Sequence, residues 1–420
     1  MNSVLYSDNK DAINVESEKD SFSKSIMPIS TINWLFSFAL IIPLVIMPLY
    51  ARFLGATLLQ VSLLLAIYYA VQTVSLVFMG SLSDIIGSRK PFIIFSLFGM
   101  AIILLTISFV NIPTFLILLM GILGFVAAAF RPCCMGLVSE ISSKTEKGKN
   151  LGILNTTTSI GWASGSFLGG VISDLFNFVI TFYSGCLLAV IALVLTIIFL
   201  KDTKTDVAKD INFRKAIVAL KNRFLTNSGE NAYLKEYGLR WVYVTFFLRY
   251  SAYGGAFAFL SIFFASLFSK SWAGILIGIY LGLSGFLMAP LGKLSDKIGR
   301  KPILALGLVG TSITLVIYAF AYDLYLFIAT QIFLSLFFSC VYTGGSAFVS
   351  DVAPEFKHNE AMGFLNSSLT LGAVTGSVLG GIMAELFGFR IMFIMLAIFP
   401  IFGVLIVLLK VHETISRQIL

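Results

Sequence analysis

Two arginines stand inside long apolar stretches, Arg131 in VAAAFRPCCMGLV and Arg249 in YVTFFLRYSAYGGAF. A guanidinium stays charged, is planar, and presents forked donors that match a carboxylate or a phosphate. At the centre of a membrane helix an ionised Arg costs about 2.5–3.5 kcal/mol on insertion scales, so such residues usually face a bundle interior or water and mark a solute path. Arg131 lies nine residues before Glu140 and Arg249 nine after Arg240. At about 1.5 Å per residue, both sit about 13 Å from the same membrane edge. Two roles are open to them. If both face a shared cavity, they offer two forked donors to an anionic solute. Alternatively they are structural, with Arg131 reaching Glu140 or backbone carbonyls and Arg249 snorkelling toward Asp84 or the membrane edge.

Other chemistry is sparse. The two histidines, His358 and His412, lie outside the apolar stretches, and neither belongs to a set of metal ligands. No nucleophile–base constellation and no phosphate-cradling glycine loop with its lysine is present, so the sequence indicates no enzyme, no cofactor and no metal. Cys133, Cys134, Cys186 and Cys340 all fall in apolar stretches and read as small packing residues. Every Asp and Glu falls in a tail, a loop or the end of a stretch; Glu140, Asp174, Asp351 and Glu385 come nearest the interior. A coupling proton therefore has no obvious mid-depth carrier and stays an open partner.

The elements that must position these groups are membrane helices. The chain is 58% hydrophobic and only 12% charged, with a mean hydropathy of +0.95, where soluble domains carry about 25% charged residues. A span of the hydrocarbon core needs about 20 apolar residues. Twelve such stretches occur, near 29–51, 57–80, 91–110, 113–138, 151–173, 178–200, 241–267, 272–292, 302–321, 324–349, 361–385 and 389–410. Of the 29 Lys and Arg, 24 fall on the side of the two chain ends, three on the other side (Arg52, Lys270, Arg390) and two within spans. Basic residues accumulate in cytoplasmic loops, which predicts a multi-pass protein of the cell membrane with both termini in the cytoplasm. The positive balance lies in short loops, so it orients the chain in lipid rather than binding nucleic acid. The expected organisation is a cytoplasmic tail (1–28), a six-helix bundle (29–200), a basic cytoplasmic linker (201–240), a second six-helix bundle (241–411) and a short tail (412–420).

A shift of 211 residues lays SFLGGVISDLFNFVITF (166–182) on SVLGGIMAELFGFRIMF (377–393), and pairs Glu140 with Asp351, Gly152 with Gly363 and Asn155 with Asn366. Six spans return the chain to its starting side, so the halves have parallel topology and a two-fold axis along the membrane normal should relate them. The predicted fold is an all-α membrane protein of twelve helices in two bundles with a cavity at that axis.

Spans two and eight end in GSLSDIIGSRK (80–90) and GKLSDKIGRK (292–301). Together with the repeat and the twelve spans, this loop resembles the signature of the major facilitator superfamily, most closely its twelve-span drug and solute exporters. The resemblance implies a cytoplasmic gate in which the aspartate holds the bundles together in one state. Its residues here are Gly80, Asp84, Gly87, Arg89 and Lys90, with Gly292, Asp296, Gly299, Arg300 and Lys301 in the second copy, which is one residue shorter. Span five carries Gly161, Gly165, Gly169 and Gly170 and span eleven Gly372, Gly376, Gly380 and Gly381, a close-packing pattern similar to the family's antiporter motif, with Ser166 and Ser377 where a proline stands there. In this family spans one, four, seven and ten line the cavity, which makes Tyr253, Gln331 and Tyr342 candidate ligands beside Arg131 and Arg249. Tyr68 and Tyr280 read as packing aromatics or gates. The resemblance implies a secondary active transporter of a small-molecule solute working by alternating access, of multidrug exporter type and acting as a monomer among membrane lipids. An organic-anion importer or exchanger using the two arginines, and a non-transporting membrane sensor, are the alternatives.

Overall fold

The structure, a computed structural model, describes residues 4–143, 145–200, 236–354 and 357–414, and their side chains apart from residues 4–25, 236 and 359. The expected linker falls outside them over 201–235, as does the last tail over 415–420. Twelve α-helices follow in order: α1 (Val4–Phe53), α2 (Leu58–Ile86), α3 (Lys90–Ile107), α4 (Pro113–Ala127), α5 (Phe130–Ile141), α6 (Lys147–Leu175), α7 (Phe178–Phe199), α8 (Leu239–Leu267), α9 (Lys270–Ile298), α10 (Arg300–Phe320), α11 (Leu324–Val352) and α12 (His358–Lys410). Among the described residues there is no strand.

Ten segments are long and apolar enough to cross a membrane, with α4 and α5 counted as one and the first running Ile26–Phe53. Local chemistry explains where they depart from simple rods. Pro132 has no N–H to give the carbonyl four residues back, and the helix breaks at Ala128 and Ala129, just before Arg131. In α12, Gly388 takes φ 77°, ψ 168° and divides the element into two helices. Short polar caps set the starts: Thr57 and Gln60 form a reciprocal capping box on α2, and Ser269 accepts from the Trp272 N–H at α9.

The helix seams follow the small residues. A Cβ added to Gly161 would come within 2.6 Å of the Trp34 carbonyl oxygen on α1, and one on Gly165 would collide with that of Phe38. In α12, Gly372 lies against Phe247 of α8, Gly376 against Ser251 and Gly380 against Gly255. The next glycine in each helix turns to a different neighbour. A Cβ on Gly170 would sit 2.7 Å from the Gly274 Cα of α9, and one on Gly381 would meet Ser62 of α2. Two segments far apart in sequence thus use the same four glycines the same way. Lipid tails are as apolar as Leu, so close backbone approach and hydrogen bonding must supply what burial from water supplies elsewhere. Ser166 contributes directly: its buried hydroxyl donates to the Gly274 carbonyl at 2.9 Å.

Toward the end of the molecule away from the chain termini these seams are reinforced. The Ser271 hydroxyl donates to the Asp174 carboxylate at 2.7 Å, Lys270 Nζ to the Ser173 carbonyl at 3.0 Å, and the Leu58 N–H to the Glu385 carboxylate at 2.8 Å. Toward the terminal side the seams part. A Cβ on Gly148, Gly152, Gly292 or Gly363 would meet nothing within 4 Å.

The seam makes a direct prediction. Gly170→Ala forces backbone against backbone and should destabilise the purified protein by about 1–3 kcal/mol, whereas Gly152→Ala meets open space and should be neutral or slightly stabilising. Thermal unfolding of the two variants beside the parent protein checks this.

Candidate solute site and gate

The loop between α2 and α3 turns on Gly87, left-handed at φ 66°, and delivers Arg89 between two carboxylates. Arg89 Nη2 lies 2.6 Å from Asp84 and 2.9 Å from Glu140, while Nη1 donates to Ser83 Oγ at 2.6 Å. Gly136 leaves room for the guanidinium, since a Cβ there would stand 3.0 Å from its carbon. Lys90 donates to the Ile197 carbonyl near the end of α7. The second loop repeats the arrangement despite its missing residue: Arg300 pairs with Asp296 at 2.5 Å and with Asp351 at 3.0 Å, and Lys301 donates to the Leu408 carbonyl. The shorter loop still brings Asp296, near the end of α9, against Arg300 at the start of α10. Gly299, at φ 119°, makes the turn. Gly80 packs on Pro132, while Gly292 touches nothing.

The second loop has a partner that its sequence does not reveal. Glu413, beyond the last span, accepts from the Arg300 N–H at 2.9 Å and the Lys301 N–H at 3.1 Å. A carboxylate there faces the positive end of α10.

Arg131 and Arg249 have opposite surroundings. Arg131 is exposed, and its Nη2 reaches Asn155 Oδ1 at 3.5 Å. Arg249 is 0% exposed, and its Nε, Nη1 and Nη2 all lack a hydrogen-bond partner. Aromatic rings surround it instead, with Tyr250 at 4.6 Å, Phe338 at 4.9 Å and Tyr253 at 5.1 Å. The Tyr280 phenol lies close enough to the guanidinium to act as a weak acceptor, but the contact falls short of hydrogen-bonding geometry. Glu140 and Asp84, the carboxylates to which Arg131 and Arg249 could have turned, are both engaged by Arg89.

Tyr253 and Tyr342 are half-buried. Tyr253 belongs to the Arg249 enclosure, and Tyr342 stacks on Phe338 with ring centroids 6.2 Å apart. Gln331 is elsewhere. Its amide is fully buried beside Tyr318, and both of its polar atoms are unpartnered. The matched tyrosines also diverge: Tyr68 accepts a hydrogen bond from Gln72 within α2, whereas Tyr280 joins the enclosure. Sequence reasoning did not find Phe338, one α-helical turn before Tyr342, or Tyr69 of α2, whose phenol interacts electrostatically with Tyr250, Tyr253 and Tyr280.

The chain belongs to the Major Facilitator Superfamily, whose profile matches residues 29–289 and 242–419. It is 26% identical over 389 residues to the multidrug resistance protein MdtG of Serratia proteamaculans, covering 87% of this chain and 88% of that protein. It is also 26% identical over 365 residues to the multi-drug resistance efflux pump PmrA of Streptococcus pneumoniae, covering 85% and 88%. The crystal structure of the nucleoside transporter NupG superposes with a TM-score of 0.73 at 13% identity, covering 91% of this chain and 98% of that one. A POT family transporter in complex with a peptide conjugate gives 0.72 at 12% identity, covering 94% and 96%. At those identities the structures speak for the fold alone. The protein is therefore a multi-pass membrane transporter of small-molecule solutes and not an enzyme.

The gate loops yield the second prediction. Asp84 is 54% exposed in its pair with Arg89, and exposed ion pairs contribute only about 0.2–1 kcal/mol. Asp84→Asn should therefore leave thermal stability and membrane insertion nearly unchanged while lowering solute flux. Asp296→Asn, in an equivalent triad, should lower it comparably. Flux at the parent rate in both variants would contradict a gating role.

Proposed function

We propose that this protein is a secondary active transporter that moves small organic solutes across the cell membrane by alternating access, as a monomeric exporter of the multidrug type with both termini in the cytoplasm. Twelve spans in two six-helix halves, 29–200 and 241–411, fit the helices described. The ten apolar segments are joined by α6, which is too rich in Gly, Ser and Thr to register by hydropathy, and by the second helix of α12 after Gly388. The matched use of glycines in α6 and α12 and the matched Arg89 and Arg300 triads support a pseudo-two-fold relation between the halves.

The observation that carries the reading is the one-sided closure between those halves. Asp174 with Ser271 and Glu385 with the Leu58 N–H clasp the end away from the termini, while toward the terminal end Gly148 and Gly152 of α6, Gly292 of α9 and Gly363 of α12 face open space. Each carboxylate sits at the N-terminal end of a helix of the other half, α9 or α2. The geometry is one of the two states alternation requires, open to the side on which the chain ends lie. With 24 basic residues on that side, it is the cytoplasmic side. The exporter assignment draws on the multidrug resistance proteins that share its length.

Removing the clasp charges should shift the population. A charge at a helix N-terminus contributes about 0.3–1 kcal/mol, so Asp174→Asn with Glu385→Gln together should favour the outward-open state severalfold. The readout is labelling of Met47→Cys, a position buried on α1 near that end, in a background without the native cysteines, by a membrane-impermeant thiol reagent added outside. Unchanged labelling would show that these contacts do not hold the closure. The function itself is tested in proteoliposomes with an imposed pH gradient and a panel of anionic, neutral and cationic solutes. Gradient-driven flux of at least one is expected, and flux of none would overturn the assignment.

A further inference from the structure

We propose that Arg249 and the rings around it bind the anionic group of the transported solute, and that this group is a carboxylate carried on a flat aromatic or unsaturated body. The role in transport rests on the function proposed above, but the binding chemistry does not. A guanidinium cannot shed its charge under physiological conditions, and a buried charge without partners is unfavourable. Yet Arg249 is fully enclosed with three unpartnered nitrogens.

Tyr250, Tyr253 and Phe338 present ring faces to the cation at 4.6, 5.1 and 4.9 Å. Such cation–π contacts offset part of the lost hydration, but a ring accepts no in-plane N–H bond in the way a carboxylate does. What the enclosure leaves unmatched is the forked N–H edge, the complement of two carboxylate oxygens. Among the described residues none supplies such a group. No Asp or Glu lies at mid-depth in any apolar span, and the acids nearest the interior are engaged: Glu140 by Arg89, Asp351 by Arg300, Asp174 by Ser271 and Glu385 by the Leu58 N–H. Arg131 is different, since it is exposed and reaches Asn155, so the two arginines are not an equivalent pair.

The enclosure also shows the shape of the solute. Arg249, Tyr250 and Tyr280 are buried, whereas Tyr253 and Phe338 are half-buried, so these two rings form its thin side. Tyr253 lies 5.8 Å from Tyr280 and 6.4 Å from Phe338 between ring centroids. Rotation of Tyr253 about its side-chain bonds would uncover the N–H edge and leave a slot walled by aromatic faces, which a flat body fills by stacking. A permanent cation would meet an unneutralised guanidinium.

The test uses the full chain, purified in detergent, with benzoate, salicylate and indole-3-acetate as probes, their carboxamides as neutral matches, and benzyltrimethylammonium as the cation. Equilibrium binding and the thermal unfolding midpoint are measured. At least one acid should bind and raise the midpoint while its amide and the cation do not. Arg249→Lys keeps the charge but loses the fork and should weaken that binding by roughly tenfold or more. Arg249→Met should abolish it and yet unfold at or above the parent midpoint, because no partner is stranded by the change. Amides binding as well as acids, no acid binding at all, undiminished binding to Arg249→Lys, or an Arg249→Met chain that fails to fold would each overturn the proposal. Binding of an acid by a protein that moves no solute in proteoliposomes would leave this site standing and remove only the transport function.

Discussion

In a bilayer the hydrophobic effect does not press one helix against another, so the molecule depends on how closely two backbones can approach. Gly161, Gly165 and Gly169 of α6, and their counterparts Gly372, Gly376 and Gly380 of α12, settle each helix against a partner of its own half. Gly170 and Gly381 turn the adjacent face of the same helices to the other half. Each of these helices therefore packs on one neighbour, α1 or α8, along one stripe and on another, α9 or α2, along the next. The serines in these runs suit that arrangement. Ser166 donates across the seam to the Gly274 carbonyl, and Ser377 donates to Gly254 of α8. A proline at either site could donate no such bond and would bend the helix. Straight, hydrogen-bonded seams can part and re-form as units.

The contacts closing one end are of a kind that can be released. Asp174 and Glu385 do not pair with buried cations; they accept from the beginnings of helices α9 and α2, interactions of modest strength. Two states can exchange only if their free energies are close, and a ligand shifts them only by its difference in affinity. Strong buried ion pairs between the halves would fix one state. The ion pairs of Arg89 and Arg300 join neighbouring helices, where they shape the short loops.

Much of this is legible in the sequence because it follows from length and apolarity. Helix α6 is the weakest case: its Asn, Thr, Ser and Gly content makes 151–173 the least apolar of the stretches, and the 211-residue repeat supports it through its partner in α12. The kink before Arg131 is written in Pro132, and the division of α12 in Gly388. The triads were half legible. Glu140 and Asp351 align in the repeat, but only tertiary packing shows that each completes a loop centred on Arg89 or Arg300. Glu413 was hidden because nothing in a short tail announces which helix it will cap. At the candidate site, in-span charge pointed to Arg249, while Phe338 and Tyr69 look like any of forty phenylalanines and fifteen tyrosines until four helices bring them together. Gln331 shows the converse, a polar residue at mid-span that belongs to the interior around Tyr318.

The position of the Arg249 enclosure links its chemistry to the motion. Its rings come from α8, α9 and α11, and Tyr69 of α2 interacts electrostatically with two of them, Tyr253 and Tyr280. Helices α2 and α9 are also those whose N-terminal ends are clasped by Glu385 and Asp174. A group that enters the enclosure and displaces Tyr253 therefore acts on the two helices whose contacts with the opposite half set the closure. Coupling of this kind needs no relay through the protein, since the same rigid helices carry both the site wall and the clasp. The unpartnered guanidinium makes one state incomplete without an anion, and the position of Tyr69 places that incompleteness where the halves meet.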